Sequence, residues 1–198
     1  MGFVNLPQKN SILPDANIWV SQTLHSWIGL VASETRGQWH FYYTEDIFAE
    51  ALRARRRRFP KANSSQIEAM RERLIKSGLK PITNFTIDSD VTYPDEKDAH
   101  VHSAAVYAGI EIIITDNIKD FAELYADPDD CPYEVYTADD FLILVADSSP
   151  QLIDQIILLQ HKHWSKYGRI FSLPRKLRDA GCPRFANYVC GRLQHIQL

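Results

Sequence analysis

Apolar positions along the chain fall into two rhythms, short continuous runs and runs at helical spacing, and these alternate. Ile12-Leu13 is a short apolar strand that runs into Asp15-Ala16-Asn17, after which Ile18, Leu24, Trp27, Ile28 and Val31 recur at the spacing of one helix. Trp39 to Tyr43 is aromatic and β-prone; Thr44 then reads as an N-cap, and Glu45 opens a helix through Ile47, Phe48, Ala51 and Leu52 that Pro60 ends. Asn63 or Ser64 is placed to cap a third helix through Ile67, Met70 and Leu74, stopped by Gly78, and Ile82 to Ile87 reads as a second buried strand.

The second half is more regular. Pro94-Asp95-Glu96-Lys97-Asp98 starts a helix along Ala99 to Ala108, Gly109 stops it, and Glu111 to Thr115 is a fully buried strand. Asp116-Asn117 leaves that strand, Asp120-Phe121 opens a short helix, Tyr133 to Tyr136 is a last strand and Ala138 to Val145 another helix. Strands alternating with helices predict an α/β fold with a mostly parallel central sheet flanked by helices, whose sites lie at the carboxyl ends of the strands. Beyond Pro150 only helical spacing remains, through Leu152, Ile156, Leu159 and Trp164, then Leu173 to Ala180 and Phe185 to Leu193. The expected organisation is a first unit over 1–146 and a helical C-terminal extension over 147–198.

A chain of 198 residues with 45% hydrophobic content can bury one substantial core. Its apolar runs are far shorter than the roughly 20 residues that cross a bilayer, and no leader or lipidation motif opens it, so no membrane and a cytoplasmic location are expected. Cys131, Cys182 and Cys190 contain no CxxC pair, which argues against a cysteine zinc site. The charge is uneven: residues 1–149 carry 14 Lys/Arg against 23 Asp/Glu, a net −9, and residues 150–198 carry 8 against 2, a net +6. Within the acidic part, Arg53, Arg55, Arg56, Arg57 and Arg58 crowd into six positions.

Asp15, Glu45, Asp98 and Asp116 each fall at a strand end or at the start of the helix that follows one. On a parallel sheet those ends converge, and two carboxylates about 4 Å apart repel by roughly 4 kcal/mol at an effective dielectric near 20. A cation would offset that repulsion. Oxygen ligands without Cys or a spaced His pair favour Mg2+, with Mn2+ possible, over zinc. A cation so held can bind a phosphate oxygen, activate water and stabilise the leaving oxygen, so metal-assisted cleavage of a nucleic acid is the expected reaction class.

These residues carry a resemblance. Leu13-Pro14-Asp15-Ala16-Asn17-Ile18, Thr44-Glu45-Asp46-Ile47, Asp95-Glu96-Lys97-Asp98-Ala99-His100-Val101-His102-Ser103-Ala104-Ala105 and Ile114-Thr115-Asp116-Asn117-Ile118-Lys119-Asp120-Phe121, in that order, resemble the PIN-domain family. The resemblance covers roughly residues 10–146 and is greatest to the branch of VapC-type toxins of bacterial toxin-antitoxin pairs. It implies a Mg2+-dependent endoribonuclease with Asp15 and Asp98 as principal metal-binding acids and Glu45 helping to hold metal and water. Asp116, Asn117 and Asp120 compete for the fourth place. Asp116 is favoured there, with Asp120 capping the next helix or supporting the metal from behind. The implied partners are RNA, a cognate antitoxin and a second copy of the chain as a homodimer.

Asn17 and Asn117 are candidate substrate contacts, although Asn17 can equally cap the first helix. Arg55, Arg56, Arg57 and Arg58 either form a solvated helix face or track RNA phosphates or an acidic partner. His100, His102, His161 and His163 read as packing or surface positions, and the tryptophans as packing. A second functional reading is a PIN scaffold that binds RNA or protein without cutting. A third, an aspartyl-phosphate phosphatase suggested by Asp15-Ala16-Asn17, lacks the second Asp that its motif needs at position 17.

Overall fold

The structure is a computed structural model that describes residues 9–60, 64–166 and 171–196. Five parallel strands run in the order β3-β2-β1-β4-β5: β1 is Ser11–Pro14, β2 His40–Tyr43, β3 Lys80–Pro81, β4 Ile112–Ile114 and β5 Glu134–Tyr136. The two central strands, β1 and β4, are buried along their whole length, as strands covered on both faces must be. Their register pairs Ile12 with Ile112, Leu13 with Ile113 and Pro14 with Ile114. Pro14 has no N–H, so it closes β1, and the Asp15 N–H takes up the pairing with the Ile114 carbonyl at 2.9 Å. Asp15 is thereby held at the carboxyl end of the central strand.

Helices connect the strands: α1 (Ala16–Val20) and α2 (Gln22–Glu34) follow β1, α3 (Glu45–Arg58) and α4 (Ser64–Lys76) follow β2, and α5 (Ala99–Ala108) leads into β4. Helix α6 (Ile118–Ala122) follows β4 and α7 (Ala138–Ser148) follows β5. Thr44 accepts from the Ile47 N–H at 3.1 Å and caps α3, a bond type that typically stabilises a helix by about 1 kcal/mol. Gly109, at φ 59°, ends α5 in the left-handed conformation that residues other than glycine adopt reluctantly. The four described tryptophans pack as expected, with Trp19, Trp27 and Trp39 buried and Trp164 against the core.

Two expectations differ, and a third falls outside the described residues. The helical spacing from Ile18 to Val31 is broken at Ser21, whose extended backbone (φ −69°, ψ 121°) separates α1 from α2 while its side chain accepts from the Leu24 N–H at 3.3 Å. No strand forms over 82–87; the edge strand is instead the two-residue β3 just before it, Lys80–Pro81. The Ile82 N–H pairs with the Tyr43 carbonyl, but Asn84 turns to φ 64° and the chain leaves the sheet. The cap expected at Asn63 lies outside the described residues.

Past Ser149 come α8 (Pro150–Ser165), α9 (Leu173–Asp179) and α10 (Pro183–Leu193). The extension has no core of its own: Ile153, Ile156, Ile157, Leu177, Phe185 and Val189 belong to the same buried apolar cluster as the sheet residues, and Phe185 meets Trp27 edge to face at 5.1 Å between ring centres. Asp139 of α7 joins the two parts, its carboxylate accepting the N–H groups of Phe185 at 2.8 Å and Arg184 at 3.1 Å at the start of α10. Among the described residues no single helix is long and apolar enough to cross a membrane.

Candidate active site

The carboxyl ends of β1 and β4 lie side by side, and the residues that follow them form one hydrogen-bonded group. Asp15 is buried, and its Oδ2 accepts from Asn17 Nδ2 and from Thr115 Oγ1, both at 2.8 Å, while Oδ1 accepts the Ala16 N–H. Thr115 also accepts from Asn17 Nδ2 at 2.9 Å and from the Asn117 N–H at 3.0 Å. A hydroxyl at the end of Ile112–Ile114 thus ties the loop after β4 to the loop after β1. Burial raises the Asp15 carboxyl above its ordinary pKa, as does the charge of Glu50, against the lowering effect of the bonds from Thr115 and Ala16 and of nearby His100.

Asp98 enters from the start of α5. A short 3-10 turn over Glu96–Asp98, capped by Asp95, carries it in, and its side chain makes no cap of its own. The carboxylate is free to face the strand ends, where Asn117 Nδ2 donates to Asp98 Oδ2 at 2.8 Å and to Asp120 Oδ2 at 2.6 Å. The pKa of Asp98 is pushed up to about 7, first by desolvation and then by the charges of Asp15, Asp95, Asp120 and Glu50. His100 Nε2, two residues further on, lies 3.3 Å from Glu50 Oε2.

The acids drawn together are therefore Asp15, Glu50, Asp98 and Asp120. Glu45 is not among them: it is largely exposed and paired with Arg71 of α4. Residues five apart on a helix are separated by about 140°, so Glu45 and Glu50 cannot both face the strand ends, and α3 turns Glu50 inward. Asp116 also stands apart. Its side chain is exposed, and its charge bears on the buried Cys182 thiol before α10, which burial and then Asp139, Asp116 and Asp140 raise to about 12. Of the three candidates for the fourth place, Asn117 and, through it, Asp120 are the ones hydrogen-bonded to the Asp98 side, and burial raises the Asp116 carboxyl. Asp116 contributes its N–H, 3.3 Å from Asn17 Oδ1.

Sequence reasoning passed over Glu50 and Thr115 as site residues and took His100 for a packing or surface position. Thr115 left a signal, as a polar residue closing a run of buried isoleucines; Glu50 left none that distinguishes it from Glu45. His102 is buried away from the group, its Nδ1 2.6 Å from the Tyr133 hydroxyl. Of the arginine run, Arg53, Arg56, Arg57 and Arg58 are exposed, whereas Arg55 turns into a cleft between α3 and α2.

Among the described residues no three His, Cys, Asp or Glu side chains stand close enough to enclose a metal ion by themselves. The donor set nevertheless fits a hard divalent cation of the Mg2+ kind, which is commonly held by one or two carboxylates, with water and substrate phosphate completing its shell. Four acids share one end of the sheet, no ion pair among the described residues joins a Lys or Arg to Asp15, Asp98 or Asp120, and burial and then the neighbouring carboxylates raise the Asp98 carboxyl. Asp15 and Asp98 would be the principal ligands, with Asp120 and Glu50 beside them.

Among models of known families, the one described as the PIN domain matches residues 11–119, more than half of the chain and the stretch from β1 to the start of α6. No curated protein matches it.

Proposed function

The chain belongs to the PIN-domain family, whose members are generally nucleases, and from that premise we propose that it is a Mg2+-dependent endoribonuclease, the toxin of a toxin-antitoxin pair. The observation that supports this reading best is the convergence of Asp15, Asp98, Asp120 and Glu50 on Asn117 and Thr115 at the ends of β1 and β4. A divalent cation bound there supplies a Lewis acid for a phosphate oxygen and a water made acidic enough to attack at neutral pH. Thr115 and Asn17 fix the Asp15 carboxylate, so that no reorientation is needed when substrate arrives. Asn117 spaces Asp98 from Asp120 and keeps both carboxylates aimed at one point. The Glu50–His100 pair places an imidazole near Asp15, a kind of side chain suited to serve as general acid toward the leaving oxygen.

RNA is preferred as substrate because exposed Arg56, Arg57 and Arg58 extend α3 beyond the acids and offer guanidinium groups to a flexible phosphate chain. A toxin of this kind would act in the cytoplasm as a monomer or homodimer, restrained by an antitoxin whose Arg or Lys side chain pairs with Asp15 or Asp98. The test is cleavage of single-stranded RNA by wild type and Asp98→Asn, with Mg2+, with Mn2+ and with EDTA. Loss of cleavage by orders of magnitude in the variant and in EDTA is expected. Equal cleavage by Asp98→Asn leaves the acids as structural and favours a PIN scaffold that binds without cutting. For the toxin reading, wild type but not Asp15→Asn should arrest bacterial growth on expression, and co-expression of the upstream neighbour should relieve it.

A further inference from the structure

Away from the acids, between α2, α3, α4 and α8, lies a cleft of about 520 Å3. Its walls are partly apolar, with Leu30, Leu74 and Leu159, and its polar lining includes two arginines, Arg55 and Arg73, with His25, Ser26, Ser33 and Ser77. Among the described residues that line it there is no Asp or Glu, and neither Arg55 nor Arg73 forms an ion pair with a described residue. Arg55 Nη1 is buried and has no hydrogen-bond partner among the described residues. A buried guanidinium N–H left unsatisfied is costly, and such a group in a native structure calls for a partner. Crowding of like charge points the same way: burial and then the nearby Arg73 and Arg58 lower the affinity of Arg55 for its proton, and burial, Arg55 and Arg73 lower that of His25 to a pKa of about 4.

A second cavity of about 770 Å3 adjoins the first, with Gln22, Ser26, Gln160, His163 and Trp164 lining both. The shared wall is a hydrogen-bonded series in which Trp164 Nε1 donates to Gln160 Oε1 at 3.2 Å and Gln160 Nε2 donates to Ser26 Oγ at 2.8 Å. The second cavity is aromatic, lined by Trp27, Trp164 and Phe171, with Lys176 among its lining residues. A chamber with two arginines beside an aromatic chamber is the division that a nucleotide presents, since ligand sites are mostly apolar with a few convergent polar groups.

We infer that this cleft is a second binding site, independent of metal, for a small phosphate-bearing ligand, the phosphate lying between Arg55 and Arg73 and an attached base in the aromatic chamber. Guanidinium groups suit the task because their forked N–H donors match phosphate oxygens in pairs. The site faces away from Glu50, five residues earlier on α3, so its occupancy is separable from cleavage.

The experiment uses the full chain in EDTA, so that the acid cluster holds no cation, with inorganic phosphate, AMP and adenosine as probes in calorimetry and thermal unfolding. Phosphate and AMP are expected to bind and to raise Tm, adenosine not, with at least tenfold weaker binding in Arg55→Gln and in Arg73→Gln. The exposed Arg73 serves as the second variant should Arg55→Gln fold poorly. Equal affinity for phosphate and AMP identifies free phosphate as the occupant, and tighter AMP identifies a nucleotide; both support the site. Absence of binding by either anion, or affinities unchanged in both arginine variants, overturns it. Loss of AMP binding in Asp98→Asn also overturns it, because the ligand would then sit among the acids, whereas failed RNA cleavage with AMP binding intact touches only the nuclease reading.

Discussion

Asn117 holds Asp98: its amide nitrogen donates to the Asp98 carboxylate at 2.8 Å while donating to Asp120 at 2.6 Å, so one neutral side chain bridges two acids. An aspartate at this position would add a further negative charge to Asp15, Asp98 and Asp120, and an alanine would release Asp98 from its orientation. Cleavage should therefore fall about 10–100-fold in Asn117→Ala, the scale on which supporting bonds to metal ligands act. Asn117→Asp should fall at least as far, with weaker Mg2+ affinity if the added charge cannot reach the cation. Single-turnover cleavage across a Mg2+ titration measures both; an unaltered Mg2+ midpoint and rate in Asn117→Ala would remove this bridge from the machinery.

Glu45 and Glu50 share α3 but not a face, and they make opposite predictions. Glu50→Gln should reduce cleavage by one to three orders of magnitude, because it disturbs the His100 pairing and removes a charge that bears on Asp15 and Asp98. Glu45→Gln should leave the rate within about threefold and cost little stability, since exposed ion pairs such as its pairing with Arg71 contribute about 0–1 kcal/mol. Reversed magnitudes would restore Glu45 to the site and place Glu50 outside it.

Asp98 carries the repulsion of four other carboxylates in a partly desolvated position. Without metal, Asp98→Asn should raise Tm at pH 8, where the wild-type carboxylate is charged. With excess Mg2+ the advantage should shrink or reverse, because the cation stabilises the form that binds it. Thermal unfolding of both proteins in EDTA and in Mg2+ gives the four values required. A variant less stable than wild type in EDTA would mean that the carboxylate is satisfied structurally and needs no cation.

How far the site can be read in the sequence follows from these residues. Asp15 and Asp98 are legible because each is fixed by a local event, the closing of β1 at Pro14 and the capped turn that starts α5, and a local event leaves its mark in neighbouring letters. The alternation of buried runs and helical spacing likewise reveals the parallel sheet. Glu50 is illegible because the choice between it and Glu45 depends on the rotation of α3 about its axis, which packing of Ile47, Phe48 and Ala51 decides. Which of Asp116 and Asn117 faces Asp98 is illegible for a related reason, since it depends on the direction in which the chain leaves β4. The break at Ser21 is hidden because a serine with extended backbone can cap a new helix without interrupting the apolar spacing. The extension's helices can be read, but not its merging with the main core, which rests on long-range pairs such as Trp27 with Phe185.

His25 sets a pH dependence that is separate from the acids. Its folded pKa of about 4 lies below the ordinary value of 6.5, so the folded state prefers it neutral. The stability it contributes is complete above pH 6.5 and is lost as pH falls from 6.5 toward 4, where only the unfolded chain takes up the proton. At 1.36 kcal/mol per pKa unit, that loss is roughly 3 kcal/mol at most. His25→Gln should flatten this part of the stability profile relative to wild type, as measured by urea unfolding between pH 4 and 7.5. Parallel profiles for the two proteins would mean that His25 protonates in the folded state without penalty.

The arginine run divides between two tasks, and salt dependence separates them. Arg56, Arg57 and Arg58 are exposed at the end of α3, whereas Arg55 lines the cleft toward α2. A single-stranded RNA that contacts three cationic side chains releases about 0.7 counterion for each, so changing all three to Gln should flatten the slope of log K against log salt by about 2. Affinity should fall to a similar degree for RNAs of different sequence, because phosphate contacts position a chain without reading its bases. Arg55→Gln should change that slope by less than one contact's worth. Fluorescence anisotropy with a labelled oligonucleotide and the cleavage-inactive Asp98→Asn background, from 50 to 300 mM salt, separates the cases. If the triple variant keeps the wild-type slope, RNA does not run along α3 and the three arginines belong to a protein contact or to solvent; if Arg55→Gln alone flattens it, the RNA path passes through the cleft.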